Sequence, residues 1–254
     1  MKVTEFKPVS PVLQNYISAY KLIEADYDVV NCVLPATSLA MSFRLTGNVT
    51  DVQGRNMQRL SFSTVSGMRK TARHIGYAPH TKNIVILFTE TGAAPFFNEP
   101  LNILCNESVP LEHFIQTDQL NSLQDQLLSA GEPASQINII ESFLLSRFLQ
   151  KHDPLVSAAV QEIKNSAGLI RVKDLCSRLY ISQDAFEKRF RRIVGASPKH
   201  FANVVRMRTV VERCTTVADA VYGFNFHDAS HFSREFKLFT GRTPAAFFSS
   251  PQFW

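Results

Sequence analysis

The chain of 254 residues reads as an α+β protein, with a β-rich N-terminal domain followed by an all-α domain of two helix–turn–helix units. Three observations predict this. A helical pattern near the C-terminus occurs twice at fixed spacing, the first ninety or so residues are β-rich and punctuated by glycine, and the net positive charge sits in the C-terminal part.

The repeat organises the second domain. Counting from Ser182, Phe186 stands at +4, Phe190 at +8, Gly195 at +13, Pro198 at +16 and Phe201 at +19. Counting from Asp228, the same offsets fall on Phe232, Phe236, Gly241, Pro244 and Phe247. Ser182 and Asp228 suit the N-cap, where a side-chain oxygen accepts from a free amide of the first turn. Phenylalanines at i and i+4 share one helix face. Gly195 and Gly241 suit a left-handed helix stop, and Pro198 and Pro244, preceded by Ser197 and Thr243, suit the first turn of a new helix.

A shorter helix is expected before each copy. VKDLCSRLY (172–180) carries Val172, Leu175, Cys176 and Leu179 at helical spacing, and Thr216 with Asp219 resembles a capping box. Each half is then helix, tight turn, helix, over about 172–194 and 217–240, the layout that can offer its second helix to a DNA major groove. In the second turn, YGFNFHD, Asn225 stands where a left-handed residue is expected, and Asn tolerates that conformation. The first turn has Tyr180 there, which residue type does not explain.

The N-terminal portion has another texture. Residues 29–46, RLSFSTVSG (59–67), ARHIGYA (72–78) and NIVILFTE (83–90) are β-rich, interrupted by Gly47, Gly54, Gly67 and Gly76, and predict a small antiparallel sheet or barrel. PVLQNYISAYKLIE (11–24) fits either a helix or an edge strand. TGAAPFF (91–97) and EPLNILCNESVPLEHF read as a loop leading into a short helix. Helices are expected at about 117–130 and 133–150, divided at Gly131–Pro133, and Lys151–Pro154 marks a domain boundary. The expected domains are 1–152, β-rich to about 110, and 153–254.

The string NFHDASHFSREFKLFTGRTP, doubled as described, resembles the second half of the paired helix-turn-helix DNA-binding domain of the AraC/XylS transcription regulators, and the likeness spans about 155–248. Asn225 replaces the family's usual glycine. More loosely, VSGMRKTARH (65–74), VILFTETGAAPFF (85–97) and Val109–Leu111 resemble the cupin-like N-terminal domain that precedes some AraC-type domains and that senses small molecules, dimerises, or both. The resemblance implies a bacterial, cytoplasmic, sequence-specific transcription regulator that binds double-stranded DNA, with a small-molecule effector and a homodimer as expectations, and RNA polymerase as a partner if it is an activator.

Matched onto the family, the base-reading candidates are Gln183, Asp184, Glu187, Lys188 and Arg191 in the first recognition helix and Ser230, His231 and Arg234 in the second. Arg192, Lys199, Arg206, Arg208, Lys237 and Arg242 are the phosphate-contact candidates. Asp184 and Glu187 have an alternative, pairing with Lys188 and Arg191 four residues on. The family's linking helix is expected to be about four residues longer than the stretch between Arg206–Met207 and Thr216 allows. Four residues fewer in a helix shorten it by ~6 Å and turn its far end by ~40°.

Charge agrees with this division. From residue 151 on there are 16 Lys and Arg against 9 Asp and Glu, whereas residues 1–150 have 11 against 13, so the overall +5 belongs to the C-terminal part, as phosphate binding requires. No apolar run is long enough to span a bilayer, and MKVTEFKPVS is not a signal peptide. Cys32, Cys105, Cys176 and Cys214 are scattered and read as reduced. His74, His80 and Glu90 are too loosely spaced for a recognisable metal site, no cofactor motif appears, and no catalytic signature is present, so no enzyme is expected. The alternatives are a protein-interaction module with a weakened DNA-binding domain and, behind it, a cupin-like enzyme.

Overall fold

The computed structural model describes residues 1–54 and 56–249, so residues 250–254 of the expected second domain lie outside the described residues. The chain begins with strand β1 (Lys2–Phe6), a short 3-10 helix at Leu13–Asn15 and β2 (Ile17–Ala25). There follow β3 (Val29–Val33), β4 (Ala40–Thr46), β5 (Val49–Gln53), β6 (Asn56–Arg59), β7 (Ser63–Ser66), β8 (Arg73–Tyr77) and β9 (Thr81–Phe88). Two 3-10 helices, Ala94–Phe96 and Leu101–Leu104, precede β10 (Ser108–Pro110) and a third at Leu111–His113.

The strands form two antiparallel sheets, one ordered β1-β2-β9-β4-β7-β10 and the other β3-β8-β5-β6. The two faces of the larger sheet go to different cores because side chains alternate along a strand. Tyr20, Leu22, Ile84, Ile86 and Phe88 join the main core, whereas Ile23 and Ala25 pack with Val49, Ile75 and Tyr77 in a second one. Residues 11–24 therefore settle as a 3-10 turn and a strand, and β2 lies between β1 and β9 rather than at an edge. The stretch 98–113, expected as loop and short helix, is divided into two 3-10 turns and β10, with Pro100 and Pro110 as their N-caps.

Nine helices follow among the described residues. Helices α1 (Thr117–Ser129) and α2 (Pro133–Ser146) come first, and α3 (Pro154–Asn165) follows, capped by Asp153 Oδ1, which accepts from the Val156 amide at 3.1 Å. Then come α4 (Val172–Arg178), α5 (Gln183–Val194), α6 (Pro198–Arg213), α7 (Val217–Gly223), α8 (Ala229–Thr240) and α9 (Pro244–Phe248). One continuous apolar cluster runs from Leu13 to Phe247, so the two domains share a core.

Candidate nucleic-acid interface

Each landmark of the repeat takes the place its chemistry suggests. Ser182, Ser197, Asp228 and Thr243 all accept from the backbone three residues on, and Thr216 and Asp219 form a reciprocal capping box. Gly195 and Gly241 end α5 and α8 at φ 84° and 76°. Phe186, Phe190 and Phe201 stack with centroids 5.5 and 5.6 Å apart, and Phe232, Phe236 and Phe247 do so at 5.2 and 5.2 Å. All six rings are almost wholly buried, which places the opposite faces of α5 and α8 outward.

Those outward faces differ. On α5, Asp184 pairs with Lys188 at 3.3 Å and Glu187 with Arg191 at 3.3 Å, while Gln183 Nε2 donates to Glu187 at 3.2 Å. These four charges cancel in two pairs, and Arg192, four residues after Lys188, is exposed beside them. On α8, Ser230, Arg234 and Lys237 are exposed, and neither cation has a side-chain hydrogen bond or ion pair among the described residues. His231 is half-buried, 3.5 Å from Glu235 and edge-on to Phe226. The Asp228 carboxyl is held down at about 2, chiefly by the His231 amide it caps and then by His227.

The phosphate-contact candidates divide as well. Lys199 and Lys237 are exposed and unpaired among the described residues. Arg192 is exposed and lines a pocket of about 320 Å³ with Lys151, His152 and Glu99 of the interdomain seam. Arg206 is turned inward: it donates to Glu235 at 2.9 Å and Asn203 at 2.8 Å and lies 4.4 Å above the Phe226 ring. It holds α6 to α8. Arg208 donates to the Pro35 carbonyl at 3.2 Å and pairs with Glu212, and Arg242 packs on Phe247. In this conformation those three arginines serve the fold.

Both units also rest on the N-terminal domain. Gly195, where a Cβ would meet Leu101 O and Leu39 at 3.2 Å, lets the end of α5 approach the Leu101–Leu104 turn. His200, near the start of α6, places Nε2 3.1 Å from the Arg69 carbonyl and Nδ1 3.7 Å from Cys105 Sγ, and burial lowers its pKa. In the second unit, Phe239 O accepts from the Ala72 amide at 3.1 Å and Thr240 O from Cys32 Sγ at 3.8 Å.

Sequence reasoning missed a polar cluster between the sheets. Arg69 and Arg73 donate to Ser108 Oγ at 3.0 and 2.6 Å, and Arg73 also reaches Ser66 Oγ at 3.3 Å. Asp51 is 3.5 Å from Arg69. Burial, then the charge of Arg69, brings the Arg73 guanidinium down to about 10, still charged at neutral pH. The signal available was two arginines inside the β-rich stretch 65–78. Glu90 pairs with Lys164, and no group of three His, Cys, Asp or Glu that could hold a metal occurs among the described residues.

Residues 175–250 match the family model described as a helix-turn-helix domain. The C-terminal domain is an AraC-type helix-turn-helix domain. Similarity to solved structures is at low identity. A 1.65 Å structure of ToxT from Vibrio cholerae is 10% identical, with a TM-score of 0.49, over 91% of this chain and 97% of that one. ToxT from strain SCE256 bound to an unsaturated fatty acid is 11% identical, with a TM-score of 0.44, over 90% and 94%. The AraC-like transcriptional activator CuxR is 10% identical, with a TM-score of 0.24, over 86% and 88%. Likeness at this level carries no argument about ligand or site. No curated protein matches significantly in sequence. The AraC-type domain supports a DNA-binding transcription regulator, and no helix among the described residues is long and apolar enough to cross a membrane.

Proposed function

We propose that the chain is a sequence-specific transcription regulator that sets α8 in a DNA major groove as its principal reader and α5 as its second, under control of a ligand or of oligomerisation through the β domain. The observation that carries this reading is the exposed face of α8, where Ser230 and Arg234 stand free beside Lys237 on a helix anchored by Phe232 and Phe236. Arg234 suits guanine O6 and N7, Ser230 either a donor or an acceptor, and Lys237 and Lys199 suit phosphates. Gln183, Lys188 and Arg191 are the corresponding readers of α5, once Asp184 and Glu187 release them or find donors of their own. A regulator of this kind works at a promoter, and meets RNA polymerase there if it activates.

The geometry of the linker sharpens the proposal. Helix α6 ends at Arg213, leaving only Cys214 and Thr215 before the Thr216 cap. That loop is too short to restore four residues, so the two reading helices are not expected to fit successive grooves of straight DNA. Selection of bound genomic fragments with purified protein, followed by footprinting, tests both parts. The expected result is an enriched motif with one strongly protected groove, or with two and a measurable bend. Absence of any enriched motif would favour the interaction-module reading, and two protected grooves one turn apart on straight DNA would overturn the linker argument.

A further inference from the structure

The polar cluster between the sheets is electrostatically incomplete. Two guanidiniums converge on one hydroxyl, that of Ser108, which is itself 2.8 Å from Ser66 Oγ. Among the described residues their one acidic partner is Asp51, whose nearer oxygen is 3.5 Å from Arg69 and whose Oδ1 has no hydrogen-bond partner there. Arg69 Nε and Thr64 Oγ1 are likewise buried without partners, and Thr64 shares a face of β7 with Ser66. A buried charge is costly unless it is paired, so two cations against one poorly placed anion leave a positive site whose donors are not used up.

We propose that Arg69, Arg73, Ser66 and Ser108, with Thr64 beside them, form a binding site for a small oxyanion, a carboxylate or a phosphate. The planar forks of two arginines match the oxygen pairs of either group. Seryl and threonyl hydroxyls supply donors of adjustable direction. Arg69 keeps part of its side chain exposed and marks the way in. The site lies where its occupancy reaches both DNA-binding units. The carbonyl of Arg69 meets His200 at the start of α6, and three residues on the amide of Ala72 meets Phe239 in α8. Within residues 69–73, Arg69 and Arg73 therefore face the anion by side chain, while Arg69 and Ala72 meet the two units by backbone. The consequence for DNA binding rests on the reading that the β domain controls the AraC-type domain.

Titration of the full chain with inorganic phosphate and, separately, with acetate, against chloride at equal ionic strength, tests the site through the rise in melting temperature. A saturable rise with one anion is expected, and which anion gives it distinguishes the two chemistries. Asp51→Asn removes the competing carboxylate and is expected to tighten binding about tenfold, a gain that misfolding does not imitate. Arg73→Gln is expected to abolish saturation. A rise that does not saturate, one unchanged in Arg73→Gln, or an Asp51→Asn affinity no tighter than that of the parent would overturn the proposal. DNA affinity measured in the same samples separates the two readings. Saturable binding without a change in DNA affinity upholds the site and sinks ligand control through it, whereas absence of saturable binding sinks the site and leaves ligand control elsewhere in the β domain standing.

Discussion

The two helix–turn–helix units share a skeleton and differ in what they show to solvent. Caps, glycine stops, prolines and a stack of three phenylalanines coincide offset by offset. Outward, α5 has four of its charges, Asp184, Glu187, Lys188 and Arg191, neutralised in two i,i+4 pairs, while α8 leaves Arg234 and Lys237 without partners among the described residues. Buried positions are held by packing, which tolerates little change. Exposed positions are free to diverge, and on a DNA reader they diverge toward the sequence to be read. Exposed pairs of the α5 kind are each worth ~0–1 kcal/mol, so opening them costs little and α5 remains usable.

The sharpest way to break the comparison is at the shared skeleton. Phe190→Ala and Phe236→Ala each delete a ring from the centre of a buried stack, and each should cost ~3–5 kcal/mol of stability. Denaturant unfolding should give similar losses for the two, and DNA binding should vanish although no outward residue has changed. A loss of under ~1 kcal/mol in one of them would show that the two cores are not equivalent.

The reading faces come next in size. Arg234→Ala should remove discrimination worth ~1–3 kcal/mol at one base pair, whereas Lys237→Ala should weaken all sequences alike and lower the salt slope by about one. Arg191→Ala should cost less than Arg234→Ala, because Arg191 must give up its pair with Glu187 before it can read a base, whereas Arg234 has no such pair among the described residues. Affinity measured on cognate and scrambled duplexes over a salt series separates these effects. Equal losses for Arg191→Ala and Arg234→Ala would make the two faces equivalent readers.

Skeleton and faces were not equally legible in the sequence. Caps, stops and stacked rings are set by neighbours within a turn or two, so Ser182, Gly195 and Pro198 announce themselves, and so do their counterparts at 228, 241 and 244. The inward turn of Arg206 is different. It depends on Glu235 and Phe226, which approach only when α6 and α8 pack. The same applies to Arg208, whose partner Pro35 is remote in sequence, and to the Arg69–Arg73 cluster, which needs four strands to assemble. In the β domain, β1 has mostly half-buried or exposed residues and β5 is bracketed by glycines, so neither shows a strong alternation. Residues 11–24 have helical spacing, yet pairing with β1 and β9 outweighs that local preference.

Acid should separate the units further. Burial lowers the pKa of His200, with Lys70 acting in the same direction and the Arg69 carbonyl opposing. The folded state therefore binds fewer protons than the unfolded one. The contribution of neutral His200 is complete above its unfolded value of about 6.5 and is lost as pH falls from there toward the folded value. The tie between α6 and the β domain should loosen below neutrality, while the Ala72–Phe239 hydrogen bond of the second unit contains no titrating group. Hydrogen exchange at pH 7 and 5 should show faster exchange at the start of α6 than in α8. In His200→Gln that difference should disappear.

The smallest expected effect tests the turns themselves. Both units place a residue with left-handed φ after the first helix, Tyr180 at 53° and Asn225 at 54°. The conformation is the same, but the cost is not, because Asn tolerates the left-handed region and Tyr pays the usual ~1–2 kcal/mol of an L residue with a full Cβ. Tyr180 accepts this strain although its side chain is 97% exposed and gains little from packing. The surrounding helices over-determine the turn, with the Ile181 amide bonded to Cys176 O at 3.2 Å. Tyr180→Gly should therefore stabilise the protein, by ~0.5–1 kcal/mol once the greater freedom of glycine in the unfolded chain is subtracted. Asn225→Gly should gain less, or nothing. Thermal unfolding of the two variants ranks them, and a larger gain at Asn225 would mean that strain is distributed between the units in the opposite way. Should Tyr180→Gly stabilise the protein yet weaken DNA binding, the exposed ring of the first turn would join the readers, and the contrast between the two faces would narrow.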